Sequence, residues 1–389
     1  MLGMWDLKPT THLYTPYLHS FFSTMYYRLF LFFVKGLFKL FTKTLSCYII
    51  VMAFQEKKRD QTFDVLKGLL ILFVIAGHSH FSFTVEHFFV SFHMPAFFFI
   101  SGYFYKARPL KDELRVDFRR LIVPYLFSCF LLVLIALLKD ILCGTLWQSS
   151  SEHALTALLG GPPIIPLPIL NKVVELGPLW FLTALFFVRL IAHFLFQSKI
   201  PHWFKATTIF LLSIASMKNS VRFHIFIPWY IPSACCALGF FFVGNLLKSF
   251  GNVTAKYKWM LFAFTVLCWG YCLLFSGMSV NACLFGAHYI IDLAGALGGT
   301  LVFYLLSRKI TKSKPTSNFL GFIGKYSLAI FCFHAIECPF FPWDTFEPFI
   351  QSYGQLASLA IFLMRAGILL LITRCVIGIP FFKKIFSYS

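Results

Sequence analysis

The chain has 389 residues, of which 59% are hydrophobic and only 13% charged, with a mean hydropathy of +0.77. A soluble domain carries about 25% charged residues, so this composition excludes one and indicates an all-α, polytopic membrane protein, whose 52 Phe suit lipid-facing helices. The formal net charge of +19 does not point to nucleic acid, because the basic residues stand in short clusters between apolar segments, as in the cytosolic loops of membrane proteins.

Residues 1–54 differ from the rest in being basic, aromatic and poorly patterned. Arg28, Lys35, Lys39 and Lys43 recur every four to seven positions, which suits an interfacial amphipathic helix better than a span. The absence of a small-residue cleavage site argues against a signal peptide. A second reading is a mis-called extension, since Met52 opens MAFQEKKRD like a natural start. Residues 55–389 then read as one transmembrane domain.

From Phe63 onward about ten apolar segments approach the length needed to cross a bilayer. They are 63–84, 88–105, 121–142, 179–198, 206–217, 229–248, 259–276, 285–306, 319–338 and 355–377. Basic residues alternate with them. Lys57, Lys58 and Arg59 precede the first segment, and Lys106, Arg108, Lys111, Arg115, Arg119 and Arg120 follow the second. Lys199 and Lys205, then Lys248, Lys256 and Lys258, then Arg308, Lys309, Lys312 and Lys314 mark later loops on the same side. The intervening loops are poor in Lys and Arg, and one carries Glu337, Asp344 and Glu347. This alternation predicts an even number of spans with both termini in the cytosol. Residues 144–178 contain five prolines, including the stretch GGPPIIPLPIL, which forbids a regular helix there. They read as a plain outer loop or as a lid or re-entrant segment.

The ionisable residues inside these segments need a partner, a cavity or a task. Asp60, Asp64, Lys67 and His78 fall on or near the first segment. At about 100° per residue, the 11 residues from Lys67 to His78 make roughly three turns plus 20°. Asp60 lies in line with His78, and Asp64 about 40° away. Asp64 is three residues from Lys67, its expected ion-pair partner. The orientation puts Lys67 near the cytosolic end and His78 roughly 16 Å further out. His93, His334, His288 and Trp180 fall at the same outer level on other segments, so several imidazoles share one stratum. A metal site is not expected of His78, His80, His87 and His93, because HxxxH spacing is missing. The eleven cysteines, with no CxxC pair, read as small hydrophobes. Arg115, Arg119 and Arg120 lead into the third segment and suit phosphate binding. Layout alone fits a reaction between a cytosolic phosphate-bearing donor and an acceptor from the other side. It fits a transporter or flippase for a polar or lipid-linked solute equally well.

Five stretches decide between these readings by resemblance: FDVLKGLLILFVIAGHS, FHMPAFFFISGYF, the basic run ending RRLIVPY, GPLWFLTALFF and IGKYSLAIFCFHA. In this order, over residues 59 to about 340, they resemble the membrane acyltransferase 3 family, and most closely its bacterial sugar O-acetylase branch. The family's basic residue, ten intervening residues and histidine correspond to Lys67 and His78; the usual arginine is here lysine, which keeps the charge but loses the fork. The resemblance implies transfer of an acetyl or other short acyl group from cytosolic acetyl-CoA (or another acyl-CoA) to a hydroxyl of a cell-envelope glycan or lipid-linked sugar, in the inner or plasma membrane. His78 would be the catalytic base or acyl carrier, with His93 in the second block beside it. Asp64, Lys67, Arg119, Arg120, Trp180 and His334 would bind donor or acceptor, and no metal is expected. No GxSxG motif of an appended hydrolase-like domain is present.

Overall fold

The computed structural model describes residues 61–145, 148–160, 176–197, 199–249, 255–286, 288–341 and 343–386, all within one compact unit, 49–389. The extension 1–54 and Asp60 lie outside the described residues. Continuous apolar runs become helices because a helix satisfies its own backbone hydrogen bonds, the only economical solution in hydrocarbon besides a closed barrel. In chain order these are α1 (Gln61–Gly77), α2 (Phe83–Val90), α3 (His93–Tyr103) and α4 (Leu110–Asp117), which runs through a π-helical turn (Phe118–Ile122) into α5 (Val123–Cys143). Then come α6 (Gln148–Leu158), α7 (Trp180–Gln197), α8 (His202–Lys218), α9 (Ile231–Ser249), α10 (Ala255–Phe275) and α11 (Tyr289–Ile310). The last are α12 (Lys314–Lys325), α13 (Ser327–Phe340), α14 (Glu347–Tyr353), α15 (Gln355–Val376) and α16 (Pro380–Phe386). A two-residue hairpin, Met278–Ser279 paired with Leu284–Phe285, is the β-structure among the described residues.

All ten apolar segments are helical, with different boundaries. Among the described residues, six helices are long and apolar enough to cross a membrane, or seven if α12 and α13 count as one bent span. The difference from ten lies in α1, α8 and the apolar part of α10, each 17 residues, or about 25 Å against a hydrocarbon core of roughly 30 Å. The first segment stops at Gly77, not at residue 84. The second starts early, at Phe83, and breaks between Val90 and His93, where Phe92 takes a non-helical conformation (φ −147°). The ninth bends by 64° at Tyr326. The loop 144–178 holds a helix, α6, ahead of its prolines. That helix forms because Asp140 caps it, accepting from the backbone N–H of Ser149 (3.2 Å) and Ser150 (2.8 Å).

α1 is a central helix, with Val65, Leu66, Leu70, Ile71, Val74 and Ile75 all buried. It touches α12 without side chains between. A methyl group added at Gly324 would meet the Asp64 carbonyl at 1.7 Å, and one at Gly68 the Leu320 carbonyl at 2.2 Å. Small residues that let backbones meet are the usual contact between helices in lipid, where the hydrophobic effect between helices is absent. α3 crosses α9 in the same way through Gly102 and Gly244. Part of the Phe content lines this interior: Phe92, Phe98, Phe240 and Phe241 are fully buried. α13 packs on α1, α5 and α15, which brings three distant stretches of sequence together.

Candidate active site

The C-terminal turn of α1 is held tightly. Ser79 is buried and donates to the Ile75 carbonyl at 2.7 Å. His80 takes a left-handed conformation (φ 57°), and its carbonyl accepts from Ser358 of α15 at 2.5 Å. Just before them, His78 keeps accessible surface.

Its ring faces His334, with centroids 5.3 Å apart and planes tilted by 53°. His334 is fully buried, and its Nδ1 stands 3.0 Å from Oε2 of Glu337, one turn further along α13. The other carboxylate oxygen accepts from Nε of Arg365 at 2.9 Å. Arg365, 1% exposed, also lies over the Trp343 ring at 4.5 Å, a cation–π contact. A carboxylate only accepts, so Nδ1 of His334 carries the proton; Nε2 has no hydrogen-bond partner among the described residues. His93 repeats the pattern. Its Nδ1 donates to the Phe89 carbonyl at 2.6 Å, which leaves Nε2 as the acceptor of a neutral ring.

At the other end of α1, Lys67 pairs with Asp64 at 2.8 Å, as their three-residue spacing predicts. Lys67 opens onto a cavity of about 420 Å³. Its rim carries Lys67, Arg120 and Lys325, and its walls come from α1 (Ile71), α3 (Phe97, Ile100, Ser101), α7 (Phe181, Leu182, Leu185) and α13 (Ser327, Leu328, Phe331). Three of these helices are the ones that carry His78, His93 and His334. The lining includes none of the three histidines, so the cavity ends below them.

The π-helical turn explains which arginine reaches the cavity. Both Arg119 and Arg120 are exposed, and only Arg120 joins the lining. Arg189 of α7 anchors the turn: it donates to Glu113 and to Asp117, each at 2.8 Å, and sits 5.3 Å from the Tyr105 ring. π-turns inside helices recur at functional sites. Trp180 is elsewhere. Its ring contacts are Phe181 and Tyr230, although the preceding Gly177 packs on Ala335, next to His334. His288 is an exposed residue at the start of α11. His87 is tied to the Cys272 carbonyl at 3.2 Å and stacked on Phe83. Among the described residues, no group of three or more His, Cys, Asp or Glu is placed to hold a metal ion, and the cysteines are free thiols.

A family model for an acyltransferase domain matches residues 60–381, most of the chain. The chain belongs to the acyltransferase 3 family. No curated protein and no solved structure matches it. The matched region of this membrane acyltransferase contains the imidazoles, the basic rim and all of the cavity lining except Phe386.

Sequence reasoning missed Arg365, Glu337 and Arg189. Arg365 and Arg189 each stand inside an apolar run, the same signal that singles out His78. Glu337 reads as a loop acid beside Asp344 and Glu347, and in the structure it lies within α13.

Proposed function

We propose that this acyltransferase moves an acetyl or other short acyl group from acetyl-CoA to a hydroxyl of a cell-envelope glycan or lipid-linked sugar. One observation carries the reading: a cavity with a cationic rim is walled by the three helices that bear the imidazole cluster. The alternation of basic loops supports a rim on the cytosolic side and histidines toward the outer face of an inner or plasma membrane, with both termini inside. The nucleotide phosphates of the donor rest on Arg120, Lys67 and Lys325. Arg120 offers a bidentate fork, whereas Lys67 acts as a point charge partly neutralised by Asp64. The pantetheine arm then extends along α1 toward His78, roughly 16 Å from Lys67.

His78 serves as general base. Its imidazole nitrogen takes the proton of the acceptor hydroxyl; the oxygen attacks the thioester carbonyl, a C–O bond forms, the C–S bond breaks, and the thiolate leaves with CoA. His334, oriented by Glu337, supports the developing imidazolium, and His93 adds a second neutral ring at the same level. In an alternative course His78 carries the acyl group as an acyl-imidazole before the acceptor attacks. Trapping a labelled acyl-enzyme without acceptor separates the two.

The reading is tested on the envelope itself. Glycans from cells that express the full chain should carry ester-linked acetyl groups absent from cells that lack it. Identical ester content in both would overturn the assignment. Arg120→Ala should raise KM for acetyl-CoA by about tenfold, the scale of one lost charge-assisted hydrogen bond, with kcat little changed. Steady-state kinetics in membrane vesicles read this directly.

A further inference from the structure

We infer that Phe97, Phe181 and Phe331 form an aromatic collar that selects the acyl group by size; the inference rests on the acyl-CoA reading above. All three rings line the cavity. The Phe181 ring contacts both others, with centroids 5.7 Å from Phe97 and 5.7 Å from Phe331. These are ordinary closed aromatic contacts, in which rings prefer separations of about 4.5–7 Å.

Their heights on the helices place them at the histidine end. On α3 the lining residues are Phe97, Ile100 and Ser101, and Phe97 is the one nearest His93, about 6 Å away along the axis. On α13 they are Ser327, Leu328 and Phe331, and Phe331 is the one nearest His334, about 4.5 Å below it. On α7 the first is Phe181, just beyond the turn whose Gly177 packs on Ala335. Three helices thus each contribute a phenylalanine to the same slab, directly beneath the imidazoles. In this reading a thioester that enters past Lys67 and Arg120 passes this slab on its way to His78.

Phe181 and Phe331 are 8% and 5% exposed, so their rings have little room to swing aside. A small planar acyl group needs only a slight ring rotation to pass, whereas a long alkyl chain needs a ring displaced into close-packed neighbours. One methylene in an apolar pocket discriminates by roughly 10- to 200-fold, which sets the scale.

The test uses the full chain in inverted membrane vesicles, with labelled acetyl-, butyryl- and octanoyl-CoA as donors and the endogenous glycan as acceptor. The variants are Phe331→Ala, Phe97→Ala and the milder Phe331→Leu and Phe97→Leu, which keep most of the core volume; detergent-extracted protein is checked for a single monodisperse species. Widening should raise the octanoyl-to-acetyl ratio of kcat/KM by about tenfold or more in the alanine variants and by less, in the same direction, in the leucine variants. Phe97→Trp should lower even acetyl transfer. Folded variants that transfer acetyl with an unchanged chain-length ratio would overturn the collar and leave the acyl-CoA reading standing. A wild-type protein that takes no acyl group from any CoA thioester would overturn both.

Discussion

His78→Ala is expected to lower acyl transfer by about 10²- to 10⁴-fold, the usual contribution of a positioned general base, without preventing membrane insertion. The imidazole keeps accessible surface and is not part of the packed interior of α1, which is filled by Leu70, Ile71, Val74 and Ile75. The turn that follows is fixed by other groups, the Ser79 hydroxyl and the Ser358-to-His80 bond. Loss of activity with normal abundance is therefore the signature. It is read as labelled acetyl incorporated per unit of protein in vesicles, with His78→Gln as a control for shape. Wild-type turnover in His78→Ala would remove the residue from the chemistry. His334→Ala should also reduce turnover, because its ring stands 5.3 Å from that of His78 and its buried Nε2 has no hydrogen-bond partner among the described residues.

The second large effect is on stability. Arg365→Ala is expected to destabilise the protein by about 3–5 kcal/mol, the cost of stranding one member of a buried ion pair. It leaves the Glu337 carboxylate facing His334 in a site where Arg365 is 1% exposed. It also empties the place above the Trp343 ring. The paired change Arg365→Met with Glu337→Gln should recover much of the loss, because it removes both charges and leaves neither unpaired. Arg365→Lys keeps the charge and loses the planar fork and the stacking, so it should fall between. Thermal unfolding of detergent-purified protein separates these cases. A single alanine variant as stable as the wild type would show that the pair bears no structural weight. In the paired variant His334 lacks its carboxylate, so stability should return further than activity does.

The helical segments were legible because each is an apolar run, with basic residues marking alternate loops between them. Their interruptions were not. The break at Ser91–Phe92 and the bend at Tyr326 fall inside longer apolar segments and are marked only by isolated polar residues, Ser91 and His93 at the first and Lys325 and Ser327 at the second. The helix α6 was hidden by the prolines of its own loop, which begin only after it, and by a cap supplied from Asp140 in the preceding helix. At the site, helical periodicity aligned Lys67 with His78, and depth alone grouped His93 and His334 with it. Depth also grouped His288 and Trp180, which lie outside the cluster, since a shared level says nothing about azimuth around the bundle. Arg365 and Glu337 come from the last long apolar segment, α15, and from an assumed loop. Their meeting depends on how α13 packs against α15, which no local pattern encodes.

The central claim is that the donor enters at the basic rim and the acyl group leaves at the histidines. Sealed vesicles of both orientations, loaded with endogenous glycan and given labelled acetyl-CoA from outside, test it most directly. Label should reach the glycan when the Lys67 face is outward and not when the His78 face is outward, and Arg120→Ala should weaken the first case. Equal labelling from both orientations would contradict a one-way path through the cavity.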